Sequence, residues 1–227
     1  MDANGKSDDD FYRKAVKTWA HLIDFDHWDV FTYGIMSGHP PVMTTEQCVG
    51  FDKLNDWFAA NKLPATPAPL KDALDNFRLV LDDFRSKFFS QIEPASEKQS
   101  YVKVQHPFKR AEFDPRQYAE VVTEYQAHIR LISDLALELT RAANYVCDLF
   151  RSTIDDSFRR GEGPLMVSIA IWPDAAESLS RAQYQAGERT ARPYPGLARF
   201  RDSVRFQRSF AFGSPPAAVR SNRNQPL

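Results

Sequence analysis

Cysteine is scarce in this sequence: Cys48 and Cys147 are the only two in 227 residues. A disulfide scaffold is thereby excluded, and no CxxC pair exists. Two free thiols, each within a helix, are the expectation for a reducing compartment. Glycine is equally sparse, with nine in the chain. That leaves little room for phosphate-cradling loops. The sequence carries no Walker A loop, no G-x-G-x-x-G after a strand and no G-x-S-x-G elbow. Gly161-Glu-Gly163 follows a helical pattern, where a C-cap accounts for it. Long apolar runs are missing too, and none approaches the roughly 18 residues of a membrane helix. The polar, acidic opening MDANGKSDDD does not read as a secretory signal, so a cytoplasmic location is expected. Lysine, finally, is absent after Lys109.

What is present suffices for one folded domain. Hydrophobic residues make up 43% and charged residues 26%, so the chain can bury a sizeable core without staples. The net charge of −1 hides an asymmetry. Residues 1–150 carry 17 Lys and Arg against 23 Asp and Glu, whereas 151–227 carry 12 Arg against 7 acids. The basic end points to an anionic partner.

Helical periodicity dominates the first two thirds. Tyr12, Val16, Trp19, Ile23 and Val30 predict one helix over about 9–33, closed by Gly34, Gly38, Pro40 and Pro41. Thr44 with Gln47 makes a capping box for a second helix, with Phe51, Leu54 and Phe58 inward. The segment 64–69, PATPAP, is a stiff linker. A third helix over about 70–92 shows a heptad seam of Leu70, Leu74, Phe77, Leu81, Phe84 and Phe88. Asp114-Pro115 starts a fourth. Its seam runs through Tyr118, Val122, Tyr125, Ile129, Ile132, Ala136, Leu139, Ala143, Val146 and Phe150, and the helix is expected to continue towards Arg160 or to break near 152–156.

The rest reads as mixed. Residues 101–106, 164–172 and 204–212 have strand character and predict a small antiparallel sheet, with a short helix over about 174–186. The expected fold is therefore mainly α: an antiparallel helical bundle with one long heptad-patterned helix and a small C-terminal antiparallel β element. Its parts are a disordered tail over 1–8, one domain over 9–212 and a disordered tail over 213–227. Within the domain lie a helix pair (9–63), a long helical hairpin (70–160) and an α+β portion (164–212).

Three groups of side chains could carry function. Opposite the long helix's seam runs a polar stripe that includes Arg141, Asn144, Asp148, Arg151 and Asp155. Ion pairs along a solvated face account for such a stripe, and a docking face for a partner is the functional reading. Towards the C-terminus Arg192, Arg199, Arg201, Arg205 and Arg208 alternate with aromatic residues. Guanidinium groups pair bidentately with phosphates and aromatic rings stack on bases, so these five are the candidate anion-binding residues. His21, Asp24 and His27 fan over one helix surface, and no second Asp-x-x-His or Glu-x-x-His exists to complete a bundle metal site. His128 follows Glu124 at ion-pair spacing.

No cofactor, metal or catalytic residue is expected from these patterns. The sequence reads as a non-catalytic interaction or regulatory protein assembling through helix surfaces, with a protein partner or self-association along the long helix. An anion- or nucleic-acid-binding protein using the arginine-rich segment is the alternative, and a small enzyme with a dispersed site ranks third.

Overall fold

The structure, a computed structural model, describes residues 3–93, 100–105, 115–171 and 176–211. The chain is mainly helical with two small antiparallel sheets. Helix α1 spans Ala3–Leu22 and α2 spans Trp28–Met36. Strand β1 (Val42–Thr44) leads into α3 (Thr45–Ala60), and α4 covers Ala68–Phe89. Strand β2 (Tyr101–Lys103) precedes α5, Pro115–Thr153, whose 39 residues extend about 58 Å. Strands β3 (Met166–Ile171) and β4 (Ala176–Arg181) form a hairpin, and α6 spans Leu197–Ala211.

The first helical pattern is split. Asp24 adopts a left-handed backbone, and a 3-10 turn over Phe25–His27 resets the phase. Trp28, Phe31 and Ile35 therefore face inward, and Val30, expected inside, is 48% exposed. Helix α1 also begins at Ala3, within the segment expected to be a tail. The tail over 213–227 lies outside the described residues. The capping box forms as the sequence suggests: Thr44 Oγ1 accepts from Gln47 N, and Gln47 Oε1 accepts from Thr44 N.

The core is one aromatic cluster. Trp19 stands edge-on to Phe25 and Phe77, and Phe31 meets both Phe51 and Phe84 edge-on. Such contacts add to the large area these rings bury. The α4 seam is buried throughout, from Leu70 to Phe88. The α5 seam is buried only from Ile132 to Phe150; Ile129, Tyr125 and Val122 are half-buried and Tyr118 is 44% exposed. Helix α5 ends at Thr153, inside the anticipated break region, and turns follow to Glu162.

The β elements depart most from expectation. Strand β2 pairs with β1, in the register Met43 with Val102, and not with a C-terminal sheet. Residues 176–181 form β4 in place of the expected short helix, pairing with β3 from Met166–Arg181 to Ile171–Ala176. Residues 204–211 are helical, so the expected strand over 204–212 is overturned. Leu197, Phe200 and Val204 recur at three- and four-residue steps and turn inward, which a strand would not allow. Thr32, buried in α2, accepts from Ser168 N and so ties β3 to α2.

Candidate functional site

The polar stripe of α5 is largely consumed within the chain. Asn144 is 1% exposed, and its amide donates to the carbonyls of Leu165 and Ala182 while Oδ1 accepts from Leu165 N, at 2.8–2.9 Å. This one side chain clamps the strand entering β3 and the strand leaving β4 onto α5. The expectation that Asn144 belongs to an open docking face is corrected accordingly. Asp148 lies between Arg151 (2.5 Å) and Arg189 (3.0 Å). Asp155 sits past the helix end, accepts from Ser157 and pairs with Arg13 at 3.3 Å. Arg141 is half-buried and 3.8 Å from Glu138.

A second polar chain holds residues 182–196 across α4 and α5. Tyr194 O–H donates to Asp83, Tyr194 N donates to Asn76 Oδ1, Asn76 Nδ2 donates to Tyr184 Oη, and Tyr184 O–H donates to Glu138 Oε1 at 2.7 Å. Buried polar groups need such partners, and each one here finds its partner in a different element. Glu138 is 5% exposed, and burial raises its pKa against the lowering effects of the Tyr184 hydrogen bond and Arg141. Burial likewise raises the Tyr184 and Tyr194 phenols, reinforced by Glu138 and Asp83 respectively. Each phenol therefore keeps its proton and acts as a donor.

Two cavities flank α6, and both are lined by Asp134 and Val204. The first, about 490 Å³, lies over Glu138, Arg141, Tyr184 and Phe200. The second, about 550 Å³, is walled by Lys87, Glu124, His128, Arg130 and Arg201. Sequence reasoning missed Glu138, Tyr184 and Lys87 of this set, while Arg130, Asp134 and Arg141 belong to the polar stripe and Arg201 to the arginine-rich segment. Glu138 and Lys87 sit inside charge-rich helix surface, where nothing marks one charged residue from the next. His128 was visible, but the ion pair its spacing to Glu124 suggests does not form; its Nε2 is buried without a hydrogen-bond partner.

The arginine-rich set is divided. Arg192 lies exposed in the loop before α6, and Arg199 and Arg201 are exposed on α6. On a helix, positions two apart point about 160° from each other. Arg201 thus reaches the second cavity, while Arg199 and Arg192 line neither. Arg205 and Arg208 lie further along α6, with side chains outside the described residues. At the other end of the molecule His27 Nδ1 is 3.0 Å from both Asp24 carboxylate oxygens, and His21 is exposed. Among the described residues no three His, Cys, Asp or Glu side chains come together as a metal set, and no helix is long and apolar enough to cross a membrane.

No protein-family model, curated protein or solved structure matches this chain.

Proposed function

We propose that the protein is a non-catalytic interaction or regulatory protein that recognises an anionic partner through the cationic surface around α6. The supporting observation is a contrast in pairing. Arg13, Arg78, Arg85, Arg141, Arg151, Arg159, Arg160 and Arg189 each have a carboxylate within 4.0 Å. Among the described residues Arg192, Arg199 and Arg201 have none, nor do Lys87 and Arg130, which line a cavity with Arg201; Arg181, on β4, also lacks one. Guanidinium groups left unpaired suit phosphates, which they meet bidentately. The reading includes the antiparallel helical bundle anticipated from the two seams, with α4 and α5 as its central pair. It also places the protein in the cytoplasm, in keeping with two free thiols that burial raises to about 11 for Cys48 and about 12 for Cys147.

A fluorescent single-stranded oligonucleotide serves as the test polyanion. Its affinity is expected to fall steeply with salt, and Arg199→Ala and Arg201→Ala each to lower the log–log slope by about 1. Absent binding, or binding that neither salt nor these substitutions change, contradicts the proposal.

The burial gradient along α5 favours a second reading, self-association through the first third of that helix, where the heptad seam continues beyond the fully buried core. Light scattering at micromolar concentration is then expected to give a dimer mass that Val122→Glu reduces to a monomer. A monomer mass for the unaltered chain ends this reading.

A further inference from the structure

Three helices bring cations to the second cavity: Lys87 from α4, Arg130 from α5 and Arg201 from α6. Among the described residues none of the three has a carboxylate within ion-pair distance. Two acids, Glu124 and Asp134, share the wall, so among the described residues the three cations stand against two carboxylates. His128 lines the same wall, half-buried, with Nε2 shielded from solvent and, among the described residues, unbonded. A buried polar nitrogen normally finds a partner, and one that does not is a place for a ligand or ion.

We propose that this cavity binds a small multivalent oxyanion, a phosphate- or sulfate-bearing molecule, held by Lys87, Arg130 and Arg201 and hydrogen-bonded by His128. The proposal rests on the anionic-partner reading above, with which it shares Arg201. An oxyanion removes the mutual repulsion of three cations gathered from separate helices, and a turn of the His128 ring towards it gives Nε2 its missing partner. The imidazole also makes binding sensitive to pH. In the unliganded protein burial, and then the Lys87 charge, lower the His128 pKa below 6.5. Among the described residues the charged groups on the cavity wall with it are Lys87 from α4, Glu124, Arg130 and Asp134 from its own helix, and Arg201 from α6. His128 is the only imidazole among them, and imidazole is the side chain that titrates by its ordinary value between about pH 5 and 8. A bound anion favours the imidazolium and opposes the effect of Lys87. Binding therefore takes up a proton, and affinity rises as pH falls.

Inorganic sulfate is the probe, because it stays divalent throughout that range and any pH dependence then belongs to the protein. Titration followed by calorimetry and by the His128 ring resonances is expected to be saturable, and to tighten several-fold from about pH 8 to about pH 5.5. Lys87→Gln and Arg201→Gln are each expected to weaken it about tenfold, which is 1.4 kcal/mol. Arg160→Gln, an exposed arginine that lines neither cavity, should leave it unchanged, and His128→Gln should flatten the pH profile. Circular dichroism melts confirm that each variant is folded. Non-saturable binding, an equal loss in the Arg160 variant, or a pH profile that survives His128→Gln overturns the proposal. The oligonucleotide assay separates the two levels. Salt-dependent oligonucleotide binding without sulfate binding removes the cavity and leaves the broader reading. Sulfate binding without oligonucleotide binding ends the polyanion reading and leaves the cavity as a site for a small anion.

Discussion

Asn144→Leu is expected to destabilise the protein by about 3–5 kcal/mol, since it removes three buried hydrogen bonds and leaves their backbone partners unpaired. Leucine is close to asparagine in size, so the helix and its packing are preserved. What is lost is chemical: the Leu165 N–H and the Leu165 and Ala182 carbonyls no longer meet the amide. Neither strand end can turn to water for compensation, because Leu165 and Ala182 are both buried. For a domain of this length the loss corresponds to a fall in Tm of about 10 °C. Arg160→Ala serves as the comparison. Its Asp156 ion pair is highly exposed at both ends, and such pairs contribute about 0–1 kcal/mol. Similar melting temperatures for the two variants would show that Asn144 does not clamp the hairpin.

Gly50→Ala is expected to destabilise as well, against the sign of helix propensity. Gly50 lies inside α3, where alanine would ordinarily gain about 1 kcal/mol. A Cβ at this position, however, would stand 2.2 Å from the carbonyl oxygen of Leu22, at the end of α1. That atom is backbone, so it yields only if one helix moves away from the other. Overpacking of this kind costs about 1–3 kcal/mol and here also disturbs the aromatic core between α1 and α3, so the net change is expected to be a loss of about 2 kcal/mol. Chemical denaturation reads it directly. A gain in stability would mean that the helices separate at no cost, and that the close approach is incidental.

The parts of the fold that were legible in the sequence are those in which local preference and burial agree. The α4 seam and the buried stretch of α5 read correctly because each named seam follows one helical periodicity, and the Thr44–Gln47 box because its two residue types stand at the spacing that lets each cap the other. The break at Asp24 was hidden because apolar residues continue past it at plausible spacing, and the left-handed turn only shifts their phase. Strand β4 was hidden for a different reason. Its sequence, AESLSR, has no β-branched residue, and pairing with β3 overrides its local preference. Helix α6 was misread because Val204, Phe206 and Phe210 fit a period of two as well as a helix.

The site was less legible than the fold, since it depends on which polar residues meet. Asn144 did carry a signal. It is an uncharged amide, poor for helix propensity, inside a stripe of charges that otherwise alternate; such a residue in mid-helix often holds backbone elsewhere. Glu138 and Tyr184 carried none, being 46 residues apart and joined only by the fold.

The pairing of early with late residues has a consequence for how the chain is made. Arg13 meets Asp155 and the carbonyl of Ile154, Trp28 donates to Thr140, Thr32 waits for Ser168, and Asn76 waits for Tyr194. During translation at about 5–20 residues per second, the first helices emerge and then remain without these partners for about ten seconds. Throughout that interval Trp28 lacks its α5 partner, whereas Trp19 and Phe31 meet Phe77 and Phe84 earlier, once α4 has emerged. Nascent chains of this protein therefore present part of their aromatic surface to the ribosome exit and to chaperones, and these pairings are completed only once residues 140–194 have emerged.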